Sequence, residues 1–332
     1  MKLLASFIAT STHALSDAEF AKFGCREGTF SQYANGENTA ANAVQWDVYA
    51  DPDSGNYEGC HPDQGNGRRG CMKTELQCSM STVEVTANNG LVRQEYNFNS
   101  IPDHNAWGLT NNGLVQESNY SYRLPKAAIL LTEEEGVAQG AGTGIIGFAV
   151  NGVPIYKPYN SNCCDAIWDE LSSMDFCVGH PNQNEYHYHF HANGNYDKCL
   201  MSCTQNEQSD LVGIALDGFA FYASMQHYSA SEGKVYIDPS NCSDCELMQL
   251  DSRYTDRCGG VEVADGDENE GTQYRYIFTN LYPYGLQCWR GDISKSQLYN
   301  ENNETYRKIS NTNKCGVDSE GVEGGTWGDD GI

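Results

Sequence analysis

Four of the eight histidines in this 332-residue chain lie close together, in the run from His180 to His191. The run reads His180-Pro-Asn-Gln-Asn-Glu-Tyr-His187-Tyr-His189-Phe-His191. Neutral imidazole nitrogens are common ligands of zinc and copper, so the cluster indicates a transition-metal site. The alternative is a strand whose histidines donate hydrogen bonds to backbone and carboxylate oxygens, with no ion.

Strand geometry limits which of these histidines can share an ion. Alternate residues face the same side of a strand, so His187, His189 and His191 share one face and the aromatic residues between them take the core face. Same-face neighbours lie about 6.6–6.8 Å apart, and zinc–imidazole bonds are about 2.0–2.1 Å long. Two neighbours can therefore converge on one ion, whereas three in a row span about 13 Å. We expect His187 and His189 to be ligands in a pocket, with His191 at its margin.

A third ligand must come from another segment. His180, expected in the turn before the strand, is one candidate. His104, in Ile101-Pro-Asp-His104, is the other. The sequence predicts a metal site made from His187, His189 and one or both of these.

The elements that carry these histidines are predicted to be mainly β, as a β-sandwich or as twisted sheets, with a few short helices and disulfide reinforcement. Alternation and turn residues predict strands at 81–86, 119–124, 144–150 and 213–216. Helical periodicity is confined to Cys164–Met174 and to Cys245–Tyr254.

A weak internal repeat predicts two pseudo-duplicated halves, at about 145–205 and 211–290. Gly147-Phe-Ala-Val-Asn-Gly-Val-Pro-Ile-Tyr156 aligns with Gly213-Ile-Ala-Leu-Asp-Gly-Phe-Ala-Phe-Tyr222. Asn-Gly and Asp-Gly between apolar runs predict a tight hairpin in each half. The second half has Arg275 and Ile277 in its tyrosine-rich strand, so it lacks the histidine pair.

Fourteen cysteines and an acidic composition bound the environment and the partners. The even cysteine number favours disulfides in an oxidising compartment. The pairs Cys199/Cys203 and Cys242/Cys245 each have a spacing that suits zinc, but the two pairs are too far apart in sequence for a zinc ribbon.

The chain is strongly acidic: Asp+Glu is 45 against 20 Lys+Arg, which gives a net charge of −25. Such a surface repels phosphate backbones and anionic lipids, so we expect neither nucleic acid nor membrane partners. The favoured partners are therefore cations, metal ions or basic molecules.

The ends of the chain complete the predicted organisation. A charged start, a short apolar stretch and Thr12-His-Ala14 predict a signal peptide at 1–14 and a secreted, extracellular protein; an amphipathic start of a cytosolic domain is the alternative. A cysteine-rich irregular segment is expected at 15–79 and a polar acidic tail at 292–332. Possible glycosylation sequons occur at Asn119, Asn241 and Asn303.

Several motifs together resemble the YHYH-domain proteins. Gly179-His-Pro181 followed by Tyr186-His-Tyr-His189 is similar to the signature of that family. Similar elements are Ala215-Leu-Asp-Gly-Phe219, Tyr282-Pro-Tyr284, Cys288-Trp-Arg-Gly291 and Ile101-Pro-Asp-His104. The resemblance covers roughly residues 80–291 and implies an extracytoplasmic β domain rather than a particular activity.

Three functions are compatible with these patterns. The first is a secreted protein that binds copper or zinc through the histidine cluster. The second is a metalloenzyme with the same ligands, for which Glu185 and Asp217 are possible general bases that spacing alone does not place. The third is a structural or adhesive extracellular protein without metal, with protein or matrix partners.

Overall fold

The computed structural model describes residues 60–61, 70–71, 79–86, 92–100, 118–141, 144–150, 152–160, 162, 164–170, 179–182, 185–189, 211–279, 283–300, 302 and 304–309. The strands, in chain order, are β1 (Cys60–His61), β2 (Gly70–Cys71), β3 (Ser79–Thr86), β4 (Val92–Ser100), β5 (Ser118–Pro125), β6 (Ile145–Ala149), β7 (Pro154–Tyr156), β8 (Gly179–Asn182), β9 (Glu185–Tyr188), β10 (Leu211–Ala215), β11 (Ala220–Tyr222), β12 (Met225–Ser229), β13 (Lys234–Val235), β14 (Cys245–Gln249), β15 (Gly260–Glu262), β16 (Tyr274–Ile277), β17 (Gln297–Asn300) and β18 (Thr305–Lys308). The helices are α1 (Glu133–Gln139) and α2 (Ala166–Glu170), with 3-10 turns at Pro239–Asn241 and Ile293–Lys295. The fold is therefore mainly β, as predicted.

The strands form sheets of different sizes. An eight-stranded sheet has the order β15-β16-β11-β10-β6-β7-β9-β8, and a five-stranded sheet has the order β18-β17-β5-β4-β3. Strands β13-β12-β14 form a three-stranded sheet, and β1 pairs with β2. The histidine-bearing strands β8 and β9 thus lie at one edge of the largest sheet.

The hydrophobic core surrounds the middle of the eight-stranded sheet. Strand β10 reads Leu-Val-Gly-Ile-Ala, and all five of its residues are buried. A continuous apolar run is what a strand needs when both of its faces are covered. Phe148, Ile155, Ile214 and Phe221 on the central strands are each 0% exposed. Strand β9 joins this sheet through its pairing with β7, and the edge strand β8 pairs with β9.

Both predicted hairpins are confirmed. Gly152 and Gly218 have φ angles of 82° and 101°, which favour glycine, and they follow Asn151 and Asp217 at the two turns. Each glycine N–H donates to the residue three positions back, over 2.8 Å from Gly152 to Ala149 and 3.0 Å from Gly218.

The two hairpins have matching registers. Gly147 pairs with Ile155 as Gly213 pairs with Phe221, and both hairpins have a register shift at the position before. Strand β7 is parallel to β9 and β11 is parallel to β16, while β6 and β10 pair antiparallel at the centre. Matching registers do not by themselves show a common origin, so internal duplication stays a prediction.

The helix predictions are only partly correct. Helix α2 lies inside the predicted range 164–174, but Cys245–Gln249 is the strand β14. Strand β14 pairs with β12 from Met225↔Gln249 to Ser229↔Cys245, so cross-strand hydrogen bonds override the local helical periodicity. Helix α1 was not predicted from the sequence, although Thr132 and Glu135 form a capping box at its start.

The range expected to be an acidic tail begins with ordered strands. Strands β17 and β18 pair with each other, and β17 also pairs with β5. Leu298 packs against the core, which supplies the apolar anchor that the polar composition of 292–332 concealed. The tail character expected from residue 310 onward lies outside the described residues.

Disulfides reinforce the described part of the chain. Cys242 is bonded to Cys245 and Cys258 to Cys288, so the disulfide interpretation of the first pair is confirmed over the zinc alternative. Cys164 is exposed and has a free thiol. Among the sequons, the Asn241 side chain is exposed and donates to Asp265 over 3.2 Å, and the side chains of Asn119 and Asn303 lie outside the described residues. Within the described ranges, no helix combines the length and hydropathy needed to span a bilayer.

Candidate metal centre

The hairpin formed by β8 and β9 places His180 and His187 directly opposite each other on neighbouring strands. The two residues are direct partners in the antiparallel register, and their ring centroids are 4.7 Å apart. His180 was expected in the preceding turn, but it lies within β8. His189 follows β9 two positions after His187, on the same face, with a centroid distance of 4.8 Å. Cross-strand pairing therefore supplies the third histidine that a single strand cannot.

The opposite face of the hairpin is aromatic, as predicted. Tyr186 and Tyr188 are buried and make an edge-to-face contact with centroids 5.5 Å apart. Tyr186 lies across Gly179, where a Cβ atom would collide with the tyrosine hydroxyl. A glycine at the start of β8 is therefore needed for this tyrosine to pack and for His180 to take its place opposite His187.

The Nε2 atoms of the three histidines converge. Nε2 of His189 lies 3.2 Å from Nε2 of His180 and 3.1 Å from Nε2 of His187. One ligand nitrogen from each residue lies within 4.8 Å of the others. Two imidazoles bound at tetrahedral angles to zinc, with bonds of about 2.0–2.1 Å, have nitrogens about 3.3 Å apart. The observed spacings are close to that value.

The cluster is buried rather than lining an open pocket as expected. His180, His187 and His189 are 3%, 1% and 3% exposed. Burial, followed by the neighbouring His189, lowers the pKa of His180 to about 3. Burial lowers the pKa of His189 to about 4, although its hydrogen bond to Lys157 acts in the opposite direction. These two imidazoles are therefore neutral at physiological pH, which is the form that binds metals.

The tautomer of His189 is fixed by the backbone. Its Nδ1 lies 2.8 Å from the carbonyl oxygen of Lys157, and because a carbonyl oxygen only accepts, Nδ1 carries the proton. In the neutral ring Nε2 then has one lone pair, and two imidazole nitrogens face it. A metal-binding histidine commonly donates its other N–H to a carbonyl in this way.

Two further side chains border the cluster, and sequence reasoning did not find their roles. The Tyr156 ring stacks on His187 with centroids 3.8 Å apart and an interplanar angle of 24°. Oε2 of Glu170 lies 3.6 Å from Nε2 of His180 and 3.8 Å from Nε2 of His189. Burial, followed by the neighbouring Asp169, raises the pKa of Glu170. Tyr156 is the last residue of the first aligned repeat segment, so the sequence drew attention to it, whereas no sequence signal pointed to Glu170.

The family comparison covers this arrangement. Residues 164–291 match the family model described as YHYH protein. Residues 164–291 are a YHYH domain. The match includes α2, β8 and β9, and therefore Glu170 and all three clustered histidines. No curated protein and no solved structure gives a significant match to the chain.

The other histidines predicted for the site are not placed. His104 and His191 lie outside the described residues, so their part in the site stays a prediction. The side chain of Glu185, one candidate base, is likewise outside the description. Among the described residues, the convergent histidines are His180, His187 and His189.

Asp217, the other candidate base, belongs to a separate buried network of the YHYH domain. Its Oδ2 accepts hydrogen bonds from the Tyr276 hydroxyl over 2.6 Å and from the Gly291 N–H over 2.8 Å. Burial raises the pKa of Asp217 to about 6, against the effect of these hydrogen bonds. The Tyr276 hydroxyl also accepts from the Arg290 N–H over 2.7 Å. This network ties the Ala215–Phe219 motif to the Cys288–Gly291 motif, which gives Asp217 a structural role.

A guanidinium, that of Arg275, occupies the register position in β16 that corresponds to His187 in β9. Val261 pairs with Arg275 in β15 and β16 as His180 pairs with His187 in β8 and β9. The Arg275 guanidinium lies 4.1 Å from the centre of the Tyr222 ring and donates to Gln226 over 3.0 Å. Tyr222 thus contacts a guanidinium where Tyr156 stacks on an imidazole.

Proposed function

We propose that this YHYH protein is a secreted protein that binds a transition metal ion, copper or zinc, through His180, His187 and His189. The observation that carries the proposal is the convergence of three buried Nε2 atoms, two of them 3.1 and 3.2 Å from the third. Two sequence features support the proposal: strand alternation places His187 and His189 on one face, and the motif that resembles the family signature includes His180.

The hydrogen-bonded alternative fits this geometry less well. The single lone pair of His189 Nε2 accepts one N–H fully, yet two imidazole nitrogens approach it. If either neighbour presents a lone pair instead, two electron pairs face each other in a buried place, which is unfavourable. An ion accepts all three lone pairs at once. The contacts therefore favour a metal ligand set over a chain of imidazole hydrogen bonds.

The closed environment favours retention of an ion over turnover. Each of the three histidine residues is at most 3% exposed, so a substrate has little direct access to the histidine face. Catalytic zinc sites keep a position open for water or substrate. We infer a role in holding or delivering the ion, or in stabilising the fold with it.

Secretion is supported by the chemistry of the chain. The bonds Cys242–Cys245 and Cys258–Cys288 persist in oxidising compartments and are rare in the cytosol. The acidic surface, with a net charge of −25, attracts cations outside the cell. Expression in a secreting host, followed by sequencing of the mature amino terminus, tests this part: a start after Ala14 supports it, and retention of Met1 in the cytosol contradicts it.

Metal content and titration test the metal site. The full chain is purified without chelators or added metal and analysed by elemental mass spectrometry, then titrated with Cu²⁺ and Zn²⁺. We expect one ion per chain, and a loss of most of the affinity in each of the variants His180→Ala, His187→Ala and His189→Ala. His227→Ala is the matched control, because His227 also lies on a strand but pairs with Leu247, away from the cluster.

The outcomes separate the alternatives. A parent protein that binds no ion leaves the hydrogen-bonded histidine cluster as the correct interpretation. Equal losses in His227→Ala and His187→Ala indicate general surface binding rather than one site.

A further inference from the structure

We propose that Glu170 is the fourth ligand of the bound ion, so that the centre is a divalent-cation site of three imidazoles and one carboxylate. This inference rests on the proposed function, because it needs the three histidines to hold an ion. Oε2 of Glu170 lies 3.6 Å from Nε2 of His180 and 3.8 Å from Nε2 of His189.

These distances are those of ligands that share an ion rather than of groups that bond to each other. A charge-assisted N–H···O hydrogen bond is about 2.7–2.9 Å long, so Glu170 does not bond either imidazole directly. Ligands at tetrahedral angles around zinc are about 3.3 Å apart, and the carboxylate oxygen is within about 0.5 Å of that spacing. Glu170 is not among the groups whose ligand atoms all lie within 4.8 Å of one another, so its carboxylate must move toward His187 to complete the tetrahedron.

Glu170 is the partly exposed member of this group of side chains. Its side chain is 32% exposed, whereas that of His180 is 4% exposed. His180 lies in β8, His187 lies in β9 and His189 follows β9, whereas Glu170 ends α2. Glu170 is therefore more accessible from solvent than the three histidines are.

The position of Glu170 is fixed by the segment that also orients His189. The Ala166 N–H donates to the Pro158 carbonyl over 2.8 Å, and Asn160 Nδ2 donates to Asp169 over 2.5 Å. Lys157, next to Pro158, provides the carbonyl that holds the His189 ring. One anchored segment therefore places the carboxylate and sets the tautomer of a ligand.

The carboxylate selects the kind of ion. Attraction between Glu170 and a dication is twice that for a monovalent cation at the same distance. Carboxylate oxygens are hard ligands, whereas Cu⁺ prefers soft thiolate and thioether ligands. A centre that includes Glu170 is therefore expected to favour Zn²⁺ or Cu²⁺ over Cu⁺, and the loss of this carboxylate should cost Zn²⁺ more affinity than it costs Cu⁺.

Three variants of the full chain test the assignment. Glu170→Gln keeps the shape but removes the charge, and Glu170→Asp keeps the charge but withdraws it by one methylene. Glu134→Gln, an exposed glutamate on α1, is the matched control. For a ligand we expect both Glu170 variants to lower Zn²⁺ affinity at least about 100-fold, above the range typical of outer-sphere partners. Cu⁺ affinity should fall much less, and Glu134→Gln should match the parent.

A spectroscopic measurement distinguishes the loss of a ligand from a general loss of structure. Co²⁺ in the parent should give the intense visible bands of a tetrahedral site, and Glu170→Gln should change them, while the unfolding temperature of the metal-free protein stays the same. Parental Zn²⁺ affinity in Glu170→Gln overturns the assignment. So does full affinity in Glu170→Asp, because it shows long-range attraction without ligation. If the parent protein binds neither Zn²⁺ nor Cu⁺, the three-histidine site itself is wrong. That result is distinct from the failure of Glu170 as a ligand.

Discussion

The carbonyl oxygen of Lys157 accepts a 2.8 Å hydrogen bond from Nδ1 of His189, across 32 residues of sequence. This bond places the proton on Nδ1 and turns the unprotonated Nε2 toward His180 and His187. A backbone group thereby prepares one imidazole for an ion without adding a charge to the site. Because the acceptor is a carbonyl, no single side-chain substitution at Lys157 removes it.

The stacking of Tyr156 on His187 should tighten metal binding. We expect Tyr156→Leu to lower Zn²⁺ or Cu²⁺ affinity ~10-fold, because the loss of the ring frees the His187 imidazole to leave its binding orientation. Tyr222→Leu is the matched control, since Tyr222 contacts Arg275 instead. Calorimetric titration measures both variants. Equal affinity losses would show that the tyrosine supports the sheet and not the ligand.

The buried histidines should make the metal-free protein sensitive to mild acid. Their pKa values are about 3 for His180 and about 4 for His189, below the usual value of 6.5. Below pH 6.5 the unfolded chain therefore binds protons that the folded chain does not bind, so the free energy of unfolding falls as pH drops toward about 4. Above pH 6.5 these two groups add no pH dependence.

Denaturant unfolding between pH 4 and 7 in the presence of a chelator measures this effect. Asp217 titrates with the opposite sign, because a pKa raised to about 6 lowers stability as pH rises through that range. The comparison with His180→Gln cancels the contribution of Asp217 and isolates that of His180. A difference between parent and variant that is constant with pH would contradict the low pKa of His180.

The buried network around Asp217 should contribute strongly to stability. Tyr276→Phe removes the hydroxyl that donates to Asp217 and accepts from the Arg290 N–H, so two buried polar groups lose a partner. We expect a loss of about 1–3 kcal/mol in the free energy of unfolding. Tyr236→Phe, whose hydroxyl bonds the exposed Glu232, should cost less than about 0.5 kcal/mol. Metal affinity should be unchanged in both variants, and a loss of binding in Tyr276→Phe would connect the network to the metal centre.

The two disulfides should differ in their contribution to stability. Cys258 and Cys288 are separated by 30 residues, and replacing both with serine should cost about 3–4 kcal/mol in the loop-entropy model. Cys242 and Cys245 are separated by 3 residues, and their replacement should cost about 2 kcal/mol or less. Chemical denaturation of the two double variants tests the order. Equal losses would show that strain or packing, and not loop length, determines the effect.

The elements with strong local patterns could be predicted from sequence. Asn-Gly and Asp-Gly between apolar runs predicted both hairpins, and β5, β6 and β10 lie within a residue or two of their predicted ranges. These signals are local, because a tight turn and an alternating or apolar strand are encoded by adjacent residues. Strand β14 was mistaken for a helix because its pairing with β12 is not visible in its own residues.

At the candidate metal centre, the sequence by itself determined that His187 and His189 share a face, since alternation along a strand requires it. It also limited the remaining ligand to another segment. Only the tertiary structure decided that His180 lies directly opposite His187, that the cluster is buried, and that the Lys157 carbonyl and Glu170 reach it. Register between strands and the approach of a distant helix depend on the packing of the whole sheet, and no local residue pattern specifies them.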